Sequence, residues 1–176
     1  MKKLGITWLL LAAACSDGGA DQAAKQKAAS EAAKTAQLSP GQWETTAEVT
    51  RVTQQDKAPR PAIDAPIGSK TAATACLTAA DVKNPPAVLL AGSDAYQCSS
   101  NNLYVSGGTL SAQLECTRKG LSGAVRMSID GSYTADTITA NQNLSTFLSG
   151  DGDVGIVSKL SARRTGECTA QPAKAG

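Results

Sequence analysis

The chain has 176 residues, with 17 basic against 15 acidic side chains, 3% aromatic residues and no histidine. The missing histidine excludes a Ser-His-Asp triad, a Cys-His dyad and any histidine-ligated metal. Near-neutral charge and so few aromatics supply neither the basic footprint nor the stacking platforms that nucleic-acid binding needs.

Lys2 and Lys3 open the chain, and an uncharged, largely apolar run follows from Leu4 to Ala14. The run is shorter than the roughly 20 residues of a membrane-spanning helix and has the length and flanks of a secretory leader. Ala12-Ala13-Ala14 leads directly into Cys15, which resembles the bacterial lipobox. The resemblance implies that residues 1–14 are a signal peptide, that the Cys15 thiol takes a diacylglyceryl group, and that cleavage falls just before it. Each buried methylene contributes about 0.8 kcal/mol, so two or three acyl chains hold a protein firmly at a membrane. Ser16 in place of Asp after the cysteine implies, by resemblance to enterobacterial sorting, an outer-membrane anchor facing the periplasm. Loss of Lys2 and Lys3 with the leader would bring the basic residues level with the 15 acidic ones.

Residues 15–38 form a separate zone of alanine with alternating charge, DQAAKQKAASEAAKTAQ, and almost no large apolar side chain. Helix propensity is high there, but an alanine face buries little area and isolated helices of this length are marginal in water. The segment is expected to be a semi-rigid linker carrying a single domain over 39–170, with 171–176 as a disordered tail.

Within the domain, QWETTAEVTRV alternates Trp43, Thr45, Ala47 and Val49 against polar neighbours, the period of a strand. Residues 54–70 are Pro-rich and polar and read as a loop. A short strand end at Cys76 is expected to pass into a helical turn capped by Thr78 and stopped by Asn84-Pro85-Pro86, with Val88, Leu89 and Leu90 as a lid on the core. From Cys98 onward strands and turns alternate. Leu110, Ala112, Leu114 and Cys116 share one face; so do Val125, Met127, Ile129, Gly131 and Tyr133; so do Ile138, Ala140, Gln142 and Leu144; so do Val154, Ile156, Ser158, Leu160 and Ala162. Gly107-Gly108, Arg118-Lys119-Gly120, Thr134-Ala135-Asp136 and residues 149–153 are the turns. The expected fold is all-β, an antiparallel meander forming a strongly curved sheet or open barrel with one short helical segment.

With Cys15 lipidated, Cys76, Cys98, Cys116 and Cys168 remain, an even number in an oxidising compartment, and they read as two disulfides. Three pairings are open; the preferred one joins Cys76 to Cys98 and Cys116 to Cys168. No CxxC occurs, so neither a zinc ribbon nor a thioredoxin-type site is expected.

Pro40-Gly41-Gln42-Trp43-Glu44, Cys76-Leu77-Thr78, Cys98, Gly107-Gly108, Cys116, Gly131-Ser132-Tyr133 and Arg163-Arg164-Thr165-Gly166-Glu167-Cys168 together resemble a bacterial envelope family, the domain-of-unknown-function family numbered 3617. The likeness spans nearly all of 40–168. It implies the fold and the envelope address, and no established activity.

Site-like residues are few. One of Arg163 and Arg164 can face the inside of the sheet, since neighbours on a strand point to opposite faces, and there its donors could hold an anionic ligand. Trp43 could be a ligand platform, although anchoring the first strand explains it more simply. Asp151-Gly152-Asp153 lacks the further oxygen ligands of a calcium loop and reads as a hairpin turn. No nucleophile-base pair, phosphate loop, metal site or cofactor is expected. The chain reads as a lipid-anchored, non-enzymatic envelope protein. Two functions stay open: binding a small apolar or anionic molecule or lipid in the concave face under residues 85–92, or docking another envelope protein.

Overall fold

The computed structural model describes residues 37–168. The leader, Cys15, nearly all of the linker and the tail at 171–176 lie outside the described residues. Leu38, placed in the linker by composition, is 2% exposed and belongs to the core.

The described residues form seven strands and one short helix. The strands are β1 (Gly41–Gln54), β2 (Lys70–Leu77), β3 (Tyr96–Ser106), β4 (Thr109–Arg118), β5 (Gly123–Tyr133), β6 (Thr137–Leu148) and β7 (Val154–Gly166); the helix α1 (Ala87–Ala91) lies between β2 and β3. Every pairing is antiparallel, in the order β2-β1-β7-β6-β5-β4-β3. The last strand thus returns to pair with the first, while β2 and β3, consecutive in sequence, lie at opposite edges. The result is a curled half-barrel, the curved meander expected from the sequence.

Alternation builds the core directly. One phase of each strand, including Trp43, Leu77, Leu110, Leu114, Ile129 and Leu160, fills the inside, and the other phase stays wet. Leu89 and Leu90 of α1 are buried over that interior. Three bulges adjust the scaffold: Thr50 is extra opposite β7, Asn101 is extra opposite β4, and Thr165 is extra opposite β1. Such insertions bend a strand and re-aim its side chains. Across the second bulge the inward phase of β3 shifts from Tyr96 and Cys98 to Leu103 and Val105.

The helix departs from its expected place. Thr78 does not cap a helix; its N–H and hydroxyl both donate to the Asp81 carboxylate, at 3.0 and 2.6 Å, and hold a turn. The hydroxyl first and the N–H second lower the pKa of Asp81. Regular helix begins only after Pro86. Residues preceding proline are driven out of the helical region, so the pair at 85–86 blocks a helix from passing through, while a proline φ of −54° suits a helix start. Gly92 ends α1 in the left-handed region at φ 67°, its N–H donating to Val88. A Cβ at Gly92 would stand 2.9 Å from that of Ala47. The sequence also showed only an end of β2, which is in fact eight residues long and paired along its length with β1.

The disulfides correct the preferred pairing. Cys76 bonds Cys168, and Cys98 bonds Cys116. Strand order explains both. Cys98 and Cys116 stand directly opposite in the β3–β4 hairpin. Gln42 of β1 has Cys76 of β2 on one side and Gly166 of β7 on the other, so a chain leaving β7 reaches Cys76 across β1. The expected bonds would have had to link opposite sheet edges (Cys76 to Cys98), or strands three apart, about 14 Å at normal strand spacing (Cys116 to Cys168).

Among the described residues, the Thr45 hydroxyl is the buried side-chain polar atom with no hydrogen-bond partner. Thr45→Val replaces it with a methyl group of similar shape. Relieving that desolvation penalty should raise the unfolding free energy by about 1–2 kcal/mol in urea melts; an unchanged or lower midpoint would contradict it.

Candidate functional site

The space beneath α1 is filled. Gln142 projects inward from β6 and its amide donates to the carbonyls of Leu90 at 3.0 Å and Ala91 at 2.9 Å, satisfying groups that a helix end leaves free. Thr71 of β2 adds a bond to the Gly92 carbonyl at 2.8 Å. Beside these groups lies a cavity of about 100 Å³, lined by Val49, Ile63, Leu144, Gln142, Tyr96 and Arg118 among others. Small-molecule sites span roughly 300–1,000 Å³, so a lipid has no room there. The cavity bordered by Ala91, below the helix, is thus smaller than that range. In its lining, Arg118 donates to the Tyr96 hydroxyl at 3.1 Å and lies over its ring at 5.3 Å. Burial raises the Tyr96 pKa, and the Arg118 charge opposes it.

The loop over this end of the half-barrel is clipped down by Asp56. Its carboxylate accepts from Ala58 N–H at 3.0 Å, Gly152 N–H at 2.6 Å and Asp153 N–H at 2.8 Å. The Ala58 bond first, then those from Asp153 and Gly152, hold this carboxyl below the usual carboxylate range. A lowered folded-state pKa contributes stability above the unfolded-state pKa and loses it as pH falls through the folded value. Asp56→Asn should accordingly lower the protection factors of the Ala58, Gly152 and Asp153 amides near neutral pH, and acidification of the unsubstituted protein through the folded-state pKa should lower them too once the slower intrinsic exchange at low pH is divided out. Unaltered protection at those amides in the variant would contradict the clip. Asp153 itself accepts from Thr146 and Leu148, so the 149–153 segment is an occupied hairpin turn.

Trp43 has 0% exposure and donates its ring N–H to the Ser39 carbonyl at 3.0 Å. It offers a ligand no surface. Arg163 pairs with Glu44 on the adjacent strand at 2.8 Å, on the outer face, beside a depression of about 360 Å³. Arg164 donates through Nε to the Pro40 carbonyl at 2.7 Å and pairs with Glu167. It packs on Gly41, whose φ of 144° and contact with the Gly166 carbonyl and Arg164 leave no place for a side chain. Register sets Trp43 opposite Arg164 and Glu44 opposite Arg163, and the contacts of the two arginines hold β7 against β1 and the segment before it.

The larger concavity lies outside, across β4, β5 and β6. Gln113, Glu115, Arg126, Ser128, Asn143 and Phe147 line a groove of about 440 Å³. Cross-strand register assembles it: Glu115 stands opposite Arg126 and Arg126 opposite Ser145, while Gln113, Ser128 and Asn143 form the next row. Arg126 lies over the Phe147 ring at 4.8 Å and approaches Glu115 at 3.9 Å. The bulged Asn101 donates to Glu115 at 3.1 Å, and Asn102 to Gln113 at 3.4 Å. Glu115 also borders a second, broader depression of about 700 Å³ that continues along β4 past Thr117. None of these residues stood out in the sequence. Each sits in the polar phase of its strand, and register alone brings them together.

The family model for a protein of unknown function, DUF3617, matches residues 38–168. The chain belongs to the DUF3617 family. No curated protein and no solved structure matches it. The match to DUF3617 begins at buried Leu38 and ends at Cys168, so it runs from the start of the core to the bond that ties β2 to the end of β7. All four cysteines of the two disulfides fall inside the DUF3617 match.

Proposed function

We propose that this protein is an exported, non-catalytic binding module, anchored by acyl chains on Cys15 to the outer membrane and facing the periplasm. The observation that carries the binding role is the outer groove of about 440 Å³, against about 100 Å³ for the interior cavity. The address rests on the leader and the small residues before Cys15, and the two disulfides suit an oxidising compartment. Docking of an envelope protein is a second reading, favoured by the edges β2 and β3, each paired on one side only.

Native mass spectrometry of the protein extracted from its own envelope in mild detergent tests this. The expected species starts at acylated Cys15 and carries an added mass that is lost on unfolding and reduced by a combined Asn143→Ala and Phe147→Ala variant. An unacylated chain that retains its leader would overturn the address. An added mass untouched by the double variant would move the site elsewhere.

A further inference from the structure

The outer groove has a definite chemistry. Strands β4, β5 and β6 are paired on both sides, so their backbone N–H and C=O groups are spent in the sheet and the groove is read by side chains alone. Those side chains mix donors and acceptors: three carboxamides on Asn101, Gln113 and Asn143, hydroxyls on Ser128 and Ser145, one carboxylate and one guanidinium. The formal charges cancel, because Glu115 and Arg126 face each other across the strands. Glu115 and Gln113 are held by Asn101 and Asn102, so part of the polar set is positioned before any ligand arrives. Guanidinium carries five donors, more than one carboxylate at 3.9 Å can occupy. Beside them Phe147 is 50% exposed even with Arg126 over one face of its ring at 4.8 Å, so ring surface stays in reach of C–H groups, which a negative π-face attracts.

We infer that this groove binds a neutral oligosaccharide, an assignment that rests on the outer face being the recognition surface. A sugar offers hydroxyls that both donate and accept and a C–H face that packs on an aromatic ring, and the groove supplies a partner for each. An acyl chain would meet a polar floor, and a simple anion would meet Glu115 next to Arg126. A peptide that adds as a strand needs an unpaired sheet edge, which this face lacks. The second depression borders the groove at Glu115, so space for further sugar units adjoins it along β4. Sites on strands also hold their geometry better than sites on loops.

The test uses the full acylated protein in a detergent without a sugar headgroup, titrated by calorimetry with cellotetraose, maltotetraose and the tetramer of N-acetylglucosamine. At least one should bind with Kd below about 1 mM. Phe147→Ala, Phe147→Leu and Asn143→Ala should each weaken it by about tenfold, comparable to the loss of one ring or hydrogen-bond contact. Tyr104→Ala, which removes an exposed ring on β3 outside the groove, should leave it unchanged. Unfolding midpoints matched to the unsubstituted protein establish that each variant is folded. No binding to any of the three sugars at about 10 mM, or binding indifferent to all three groove variants, overturns the inference. A polypeptide crosslinked from Ser128, in place of the sugars, overturns it too, yet leaves the outer face as the binding surface.

Discussion

Replacing Cys76 and Cys168 together by serine should lower the unfolding free energy by roughly 4–5 kcal/mol, against about 3 kcal/mol for the Cys98 and Cys116 pair. The difference follows from loop length, since the first bond closes 92 residues and the second 18. Loop-closure entropy in the unfolded chain grows with the logarithm of that number. Position adds to the contrast. The Cys98–Cys116 bond joins strands that a tight Gly107-Gly108 turn already holds together. The Cys76–Cys168 bond ties the alanine-rich edge strand β2 to the end of β7, across β1. A domain of this size has about 5–15 kcal/mol of stability in all, so the first variant should approach unfolding near body temperature. Urea melts of the two double variants without reductant check the order; equal losses, or a larger loss for the short loop, would contradict it.

Trp43→Ala should cost about 3–5 kcal/mol, the range for removing a fully buried tryptophan. Trp43 is the largest side chain with no exposure in the core, and its N–H bond to Ser39 fixes the segment leading into β1. That segment is pinned once more by Ser39 N–H on the Ala135 carbonyl at 2.7 Å. Truncation leaves both a cavity and a freed carbonyl, so cooperative unfolding should shift strongly in denaturant. A loss below about 1 kcal/mol would show that the core collapses around the gap or that the ring packs elsewhere.

Some of this architecture is legible in the chain and some is not. The inward residues of β4 to β7 can be read from alternation, because large apolar side chains mark every second position between glycine-bearing turns. β2 is nearly hidden: KTAATACL has alanine in the inward phase, which contrasts weakly with threonine. Disulfide pairing depends on β7 returning to β1, a long-range fact that spacing along the chain does not carry. The bulge at Asn101 breaks the period of β3, so counting in twos misplaces one side of it. Arg163 and Arg164 drew attention as adjacent charges, yet each is bound to β1 or the segment before it. The outer groove escaped notice for the opposite reason. Gln113, Arg126 and Asn143 look like ordinary solvated positions until register sets them side by side.

Recognition on the outer face is tested most directly by photocrosslinking in living cells, with a photoreactive residue placed either at Ser128 in the groove or at Asp64 in the lining of the interior cavity. Outer-face recognition predicts a reproducible adduct from Ser128 and none from Asp64. An adduct from Asp64 alone would contradict it and return the binding site to the interior.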